Sequence, residues 1–265
     1  MDAITQFKQS AKEGWKHFTP LEAITTAAAA RLVRFADISP GMRVLDVGCG
    51  TGVVAVTAAR LGAKINAIDL TPELLDRARE NARIAEVEIE FLEADVEQLP
   101  FPDAAFDSVL SQFAHMFAPR PEVAVREMLR VLRPGGTIAF STWPSELLVG
   151  RTAAVGTRYM PPPPPGVSNP ILWGEPAFIQ QQLGKAVDNL VFDRYHMLVP
   201  ALSPQHFRAG VERSAGPVIK LVELLATKDP QSLQTYRQEF DAIVMQYMQD
   251  NQVRQDYLMT RARKL

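Results

Sequence analysis

The sequence predicts an α/β fold, a doubly wound and mostly parallel sheet with helices on both faces, and three observations carry that expectation. From Met42 to Thr142 short apolar runs alternate with amphipathic stretches, the pattern of parallel strands joined by crossover helices. The glycine-rich run Gly48-Cys49-Gly50-Thr51-Gly52 stands directly between the first apolar run and the first amphipathic stretch. Asp46, Asp69 and Asp95 fall near the ends of three such runs, and the carboxyl ends of neighbouring parallel strands converge on one crevice.

Taken in order, the chain opens with two helical stretches separated by Thr19 and Pro20; Leu32, Val33 and Phe35 continue the apolar face of the second, and Pro40 and Gly41 stop it. RVLDV reads as the first strand and VVAVTAARLG as the helix after it, with Gly62 as its C-terminal stop. KINAID is the second strand. The helix TPELLDRARENAR takes Thr71 as N-cap and Pro72 at its first position, where the missing N–H costs nothing. In EVEIEFLEAD, Val87, Ile89 and Phe91 alternate with glutamates, which places a third strand toward a sheet edge. DSVLS is the fourth strand, EVAVREMLRVL a helix closed by Arg133, Pro134, Gly135 and Gly136, and TIAFST the fifth strand.

Beyond Trp143 the regularity stops. Pro161 to Pro165 with Gly166 can be neither helix nor paired strand, so a surface loop or lid is expected. EPAFIQQQLG reads as helix, LVFDRYHMLV as a sixth strand, Ser203 to Gln249 as mainly helical, and DYLMTRA as a last strand.

Composition narrows the function classes. The 265 residues are 47% hydrophobic and 22% charged, which fits a folded globular chain rather than a disordered one. A formal net charge of -2 offers no basic footprint for a nucleic-acid backbone or an anionic membrane. Cys49 is the single cysteine, so neither an intramolecular disulfide nor a multi-cysteine zinc site can form. No uncharged run reaches the length of a membrane span, and the N-terminus lacks a secretory apolar centre. A cytoplasmic protein without a membrane span is expected.

Glycines at 48, 50 and 52, after a strand and before a helix, let the backbone turn tightly and approach a ligand where a Cβ would collide. Asp69, at the end of the second strand, is placed to accept both hydroxyls of a ribose. Asp95 can accept from an exocyclic amine such as that of adenine. With these residues in place the sequence resembles the class I S-adenosylmethionine-dependent methyltransferases, and its small-molecule branch, which includes quinone-biosynthesis enzymes, most closely. VLDVGCGTG is similar to the family's first motif, AIDL to its acidic second-strand motif, EADVEQLPFPDAAFD to its third, and LRPGG to the segment before its fifth strand.

The resemblance implies a Rossmann-like, seven-stranded sheet of order 3-2-1-4-5-7-6 with the seventh strand antiparallel and a helical lid insertion. It implies S-adenosylmethionine as cofactor and a small-molecule acceptor rather than nucleic acid; no dense Asp/Glu/His cluster suggests a metal, so none is expected. Gly48 and Gly50 would contact the methionine moiety, Asp69 the ribose, and Asp95 with Val96 the adenine; Asp46, Cys49, Gly52, Leu70 and Gln112 complete the expected cofactor set. The expected organisation is one methyltransferase domain over 1–265: a helical arm (1–41), a cofactor-binding core (42–142), and a substrate and lid region that completes the sheet (143–265).

Two other readings stay open. A nicotinamide-dependent dehydrogenase carries G-x-G-x-x-G, which this turn does not match. A noncatalytic cofactor-binding protein, or an enzyme that does not methylate, could use the same fold, and turnover to S-adenosylhomocysteine separates these. Within the family, SQFAHMF replaces the Asn- or Asp-Pro-Pro-aromatic motif of amino-methylating nucleic-acid enzymes. His115 is the candidate general base near the end of the fourth strand. Trp15, Phe117, Trp143, Tyr159 and Tyr195 are candidate acceptor-pocket residues, and Trp15 with Phe18 is an alternative cover for the cofactor. His196 is expected to fill a core position on its strand, and His17, His206 and Trp173 to be structural.

Overall fold

The computed structural model describes residues 2–265, and the alternation of apolar runs and amphipathic helices becomes one twisted sheet between helical layers. The strands are β1 (Arg43–Val47), β2 (Lys64–Asp69), β3 (Ile89–Glu93), β4 (Phe106–Gln112), β5 (Leu132–Thr142), β6 (Val187–Pro200), β7 (Met248–Gln249) and β8 (Gln252–Lys264). They lie in the order β3-β2-β1-β4-β5-β8-β6, with the two-residue β7 pairing only β8. The pairs β3–β2, β2–β1, β1–β4 and β4–β5 are parallel, whereas β8 runs antiparallel to both β5 and β6. The expected order is therefore met, with β8 in the seventh strand's place.

Strand alternation divides the core. Val44, Leu110 and Ala139 face one side and pack with Leu32, Val33, Val54, Ala55 and Leu75. Their neighbours Leu45, Val109, Ile138 and Phe140 face the other side with Met128, Leu129, Trp173 and Ile179. The first layer is built from α2 (Glu22–Phe35), α3 (Val53–Ala59) and α4 (Pro72–Ile84), the second from α5 (Pro121–Val131) and α7 (Pro176–Leu183). Strand β3 lies at the sheet edge, as its glutamates require.

Three local expectations are corrected. Thr71 sits before α4, but its side chain makes no cap; its N–H instead donates to Asp69 Oδ1 at 2.9 Å, so the carboxylate of β2 starts the next helix. The LRPGG segment does not lie outside the fifth strand: β5 begins at Leu132, and an irregular register between Phe106 and Ser108 absorbs the turn. Beyond Trp143 regular structure resumes at once with α6 (Leu148–Thr157).

The arm is α1 (Ala3–Trp15), capped by Asp2 accepting from the Thr5 N–H, followed by a 3-10 turn at Thr19–Leu21 and α2. Helices α8 (Pro204–Ser214), α9 (Gly216–Lys228) and α10 (Pro230–Met245) fall between β6 and β7. With α6 they enclose a separate apolar cluster of Leu148, Val155, Leu221, Tyr236, Phe240 and Val244, against which Ile24, Tyr159 and Met160 pack. The arm touches this unit where Gly14 crosses Gly216: a Cβ on Gly14 would stand 3.0 Å from the Gly216 Cα. Nearby, Lys220 Nζ donates to Ser10 Oγ at 2.6 Å. No helix among the described residues is long and apolar enough to cross a membrane.

Candidate cofactor and acceptor site

Parallel strands β1, β2 and β3 end side by side, and their ends are where the acidic residues gather. The chain leaves β1 through Gly48 (φ 65°) and Gly50 (φ 54°), both in the left-handed region, before α3. A Cβ on Gly48 would lie 2.4 Å from Ala114 Cβ, so the turn and the segment after β4 meet only because position 48 has no side chain. Cys49 is buried, and its N–H donates to the Ile68 carbonyl at 2.8 Å, tying the turn to β2. Burial pushes the thiol well above its ordinary range.

The Asp69 carboxylate holds the turn from the other side. Oδ2 accepts from the Gly50 N–H at 2.9 Å and Oδ1 from the Thr71 N–H. Each oxygen keeps a second lone pair for a ligand hydroxyl. Removal from solvent raises its pKa above the ordinary carboxylate value, against the pull of these two N–H groups. Asp46 is 1% exposed, with Oδ2 accepting from the Ala55 N–H at 3.0 Å and Oδ1 left without a partner. Burial pushes it up to about 7, and the neighbouring charge of Asp69 adds to the shift.

Asp95 follows β3. Its Oδ1 accepts from the Glu97 N–H at 2.9 Å, and its Oδ2 receives Lys8 Nζ of the arm at 2.5 Å. Lys8 also reaches Glu97, whose other donors are the Arg120 N–H and guanidinium. Burial works against the Glu97 charge, yet Arg120 and Lys8 hold its carboxyl below the usual range. Lys12, one turn on, pairs with Glu93. The arm thus crosses the ends of β3 and β2, and a Cβ on Gly50 would lie 3.8 Å from the Phe18 ring. Lys8, Lys12, Glu97 and Arg120 were not among the expected site residues; the i, i+4 spacing of two lysines on α1 and the place of Glu97 in EADVEQLPF were the traces they left in the sequence.

Leu70 and Val96 are half-buried beside their aspartates, Val96 against the large core cluster. Gln112 ends β4 with Nε2 donating to the Thr25 carbonyl at 3.0 Å and Oε1 buried without a partner. Phe113, next in the chain, takes a left-handed backbone (φ 56°), a conformation that costs a non-glycine residue on the order of 1–2 kcal/mol. Its N–H bond to the Ser141 carbonyl and its stack on Trp143, with ring centroids 3.9 Å apart, hold it there.

The base expected at His115 is revised. A 3-10 turn over His115–Phe117 is pinned by the His115 N–H on Ser111 Oγ, and it turns the imidazole into the core, 2% exposed. The ring packs 4.4 Å from Phe140 and 4.5 Å from Trp173, and neither nitrogen has a partner. Burial pushes its pKa down to about 3, so it stays neutral at ordinary pH, and among the described residues no hydrogen-bond partner meets either nitrogen.

The acceptor candidates do not form one wall. Trp15 meets Phe117 edge-on at 4.8 Å. Trp143 stacks on Phe113, whose ring meets Tyr257, and Tyr195 lies beyond that ring under the Arg31 guanidinium. Tyr159 instead belongs to the helical unit, its O–H donating to Glu239 Oε1 at 2.9 Å. His196 is exposed on the sheet's edge strand rather than in the core, because its side of β6 is left uncovered there. His17 and His206 are exposed, and Trp173 is buried.

These groups suit an adenosine ligand with a cationic tail: left-handed glycines for close approach, carboxylates at adjacent strand ends, and an orphaned buried oxygen on Asp46. Comparison with known proteins agrees. The family profile described as a methyltransferase domain matches residues 45–140. An uncharacterized protein of Mycobacterium tuberculosis is 34% identical over 234 residues, 88% of this chain and 85% of that protein. A ubiquinone biosynthesis O-methyltransferase of Xanthomonas campestris is 38% identical over 122 residues, 46% of this chain and 51% of that enzyme. Among solved structures, the YcgJ protein of Bacillus subtilis superposes with a TM-score of 0.57 at 19% identity, covering 90% of this chain and 98% of that one. A Haemonchus contortus phosphoethanolamine N-methyltransferase 2, solved with S-adenosyl-L-methionine, gives a TM-score of 0.53 at 19% identity over 91% of this chain and 52% of that one. At such identities the structural likeness speaks to the fold.

Proposed function

Because the chain belongs to the class I S-adenosylmethionine-dependent methyltransferases, we propose that it moves a methyl group to a small-molecule acceptor by direct in-line displacement, with the ends of β1 to β3 as its cofactor site. The observation that carries this reading is the glycine turn locked to Asp69, with Asp95 at the next strand end. In it Asp69 accepts the ribose hydroxyls, Asp95 the adenine amine beside Val96 and Leu70, and the turn from Gly48 to Gly52 lies along the methionine moiety. Asp46, which burial keeps protonated up to about pH 7, supplies a compensating negative charge beneath the turn once ionised, and Gln112 borders the site from β4.

When bound, S-adenosylmethionine supplies a methyl group already activated on a sulfonium: its carbon–sulfur bond breaks, the pair staying on sulfur, as an acceptor lone pair bonds to carbon. What remains for the protein is to hold the acceptor about 3 Å away and in line, and positioning of this kind accounts for much of the acceleration. Trp15, Phe117, Phe113 and Trp143 are the side chains proposed to border the acceptor. Residues 143–265 supply the cover, where long insertions in compact domains usually serve function and closure excludes water. His115 is assigned no proton transfer.

Calorimetry with S-adenosylmethionine and S-adenosylhomocysteine tests the site. Asp69→Ala is expected to weaken both by about 1.5–3 kcal/mol, the range for losing hydrogen bonds to a charged group. Unchanged affinity would remove the assignment. A metabolite screen reading S-adenosylhomocysteine formation then identifies the acceptor, and absence of turnover with every acceptor despite cofactor binding would favour a noncatalytic role.

A further inference from the structure

The glycine turn is clamped from outside by two elements. On β2, the Ile68 carbonyl accepts from the Cys49 N–H and Asp69 from the Gly50 N–H. From α4, Asn81 Nδ2 donates to the Thr51 carbonyl at 2.9 Å. The N–H of that same peptide group, on Gly52, donates to the Cys49 carbonyl at 2.8 Å, so the Thr51–Gly52 peptide is held at both ends.

Asn81 is itself held. Its Nδ2 also donates to Glu22 Oε2 at 2.9 Å, so one amide hydrogen serves α2 and the other the glycine turn. Glu22, the first residue of α2, accepts as well from Arg77 Nε at 3.1 Å and Nη2 at 2.9 Å, and Arg77 stands one turn before Asn81 on α4. Burial works against the Glu22 charge, yet Arg77 and Asn81 hold its carboxyl below the usual range. Thr51 is buried, and Glu22, Arg77 and Asn81 are half-buried.

We propose that Glu22 is a positioning residue of the cofactor site, which acts through Asn81 to hold the Thr51–Gly52 peptide in the orientation that receives the ligand. The proposal rests on the cofactor reading above. Gly50 and Gly52 both take positive φ, and glycine moves among several backbone conformations unless neighbours restrict it. A turn that is ordered before its ligand arrives loses less freedom on binding, and affinity gains by that difference. Glu22 gives Asn81 its direction, because only the NH2 end of the amide suits an oxygen on either side. The effect is shared by S-adenosylmethionine and S-adenosylhomocysteine, which differ only in the methyl group and its charge.

Calorimetry of both ligands on the full chain tests this with Glu22→Ala, Glu22→Gln, Asn81→Asp and Glu80→Ala. Glu22→Ala is expected to weaken both ligands by about three- to tenfold, the scale of one hydrogen bond. Glu22→Gln can keep an oxygen where Asn81 and Arg77 Nε donate, and is expected to stay within about twofold of the wild type. Asn81→Asp keeps the shape but sets a carboxylate against Glu22 and the Thr51 carbonyl, and is expected to weaken both ligands at least as much as Glu22→Ala. Glu80→Ala removes the other carboxylate on Arg77, leaves the contacts of Asn81 in place, and is expected to leave affinity unchanged. In the ligand-free protein, amide exchange at Gly52 is expected to quicken in Glu22→Ala and not in Glu22→Gln. Wild-type affinity in both Glu22→Ala and Asn81→Asp, or an equal loss in Glu22→Gln or Glu80→Ala, would overturn the positioning role and leave the cofactor site standing. A wild type that binds neither ligand would overturn the cofactor reading and the positioning role with it. Where circular dichroism shows Glu22→Ala unfolded, Asn81→Asp against Glu22→Gln decides the matter.

Discussion

Asp46 and His115 are two buried titratable groups near the ends of adjacent strands, on opposite faces of the sheet, and burial moves them in opposite directions. Asp46, on the α3 face, rises to about 7; His115, on the α5 and α7 face, falls to about 3. In both cases loss of solvent disfavours the charged form. The surroundings differ: Asp46 accepts from the Ala55 N–H in the first turn of α3 and has an oxygen without a partner, whereas His115 touches rings. A titratable residue near a strand end is thus a site residue only when the turn after the strand aims it into the crevice. Asp46 is held under the first turn of α3, and the 3-10 turn after β4 sends His115 into the apolar core.

The largest expected effect is on the pH dependence of stability, where the two groups oppose each other. His115 binds a proton more readily unfolded than folded, so its contribution is present above about pH 6.5 and is lost as pH falls toward 3, amounting to several kcal/mol. Asp46 holds its proton better when folded, so its contribution is present at low pH and is lost as pH rises from about 4 through 7. Urea unfolding of the ligand-free protein across pH 4–8 is expected to show His115→Phe flattening the acid limb and Asp46→Asn flattening the fall toward neutrality. Identical profiles for wild type and both variants would break the contrast.

A similar effect of about 3 kcal/mol is expected from Gly48→Ala, which adds a carbon 2.4 Å from Ala114 Cβ at a left-handed position. Denaturant midpoints check it, and a loss below about 1 kcal/mol would mean that the turn and the post-β4 segment separate easily. At the ligand level, His115→Phe is expected to leave cofactor affinity within about twofold, against the 1.5–3 kcal/mol expected for Asp69→Ala; a His115 variant that altered the pH profile of turnover would restore the base. The smallest effect belongs to Trp173→Phe. It deletes a buried N–H without a partner and some ring volume, two changes of opposite sign, so stability is expected to change by less than about 1.5 kcal/mol in thermal unfolding.

Helix α6 shows why the region after Trp143 was harder to read than the sheet's first half. LVGRTAAVGT has two glycines and no broad apolar stripe, so its helical propensity is modest. Packing overrides that: Leu148, Gly150, Thr152 and Val155 are buried, and a Cβ on Gly150 would lie 2.3 Å from the Pro144 carbonyl oxygen. The last strand was legible only in its central DYLMTRA, because the flanking residues of β8 are held by pairing with β6 and β7 rather than by their own pattern.

By itself the sequence determined the positions of β1 to β5 along the chain, the glycine turn and the strand-end placement of Asp69 and Asp95, because each depends on local chemistry: period-two alternation, residues free to take positive φ, and short connections between neighbouring elements; the strand order in the sheet was implied by the family resemblance alone. Tertiary structure decided which groups face the same space. The Lys8 bridge to Asp95 joins residues 87 positions apart, Phe18 meets Gly50 only because α1 crosses the cleft, and His115 was sent inward by a turn whose pin, Ser111, is itself held by the Val47 carbonyl. Such contacts depend on the angle at which a helix or turn leaves the sheet, which packing against distant side chains sets and local residue order does not.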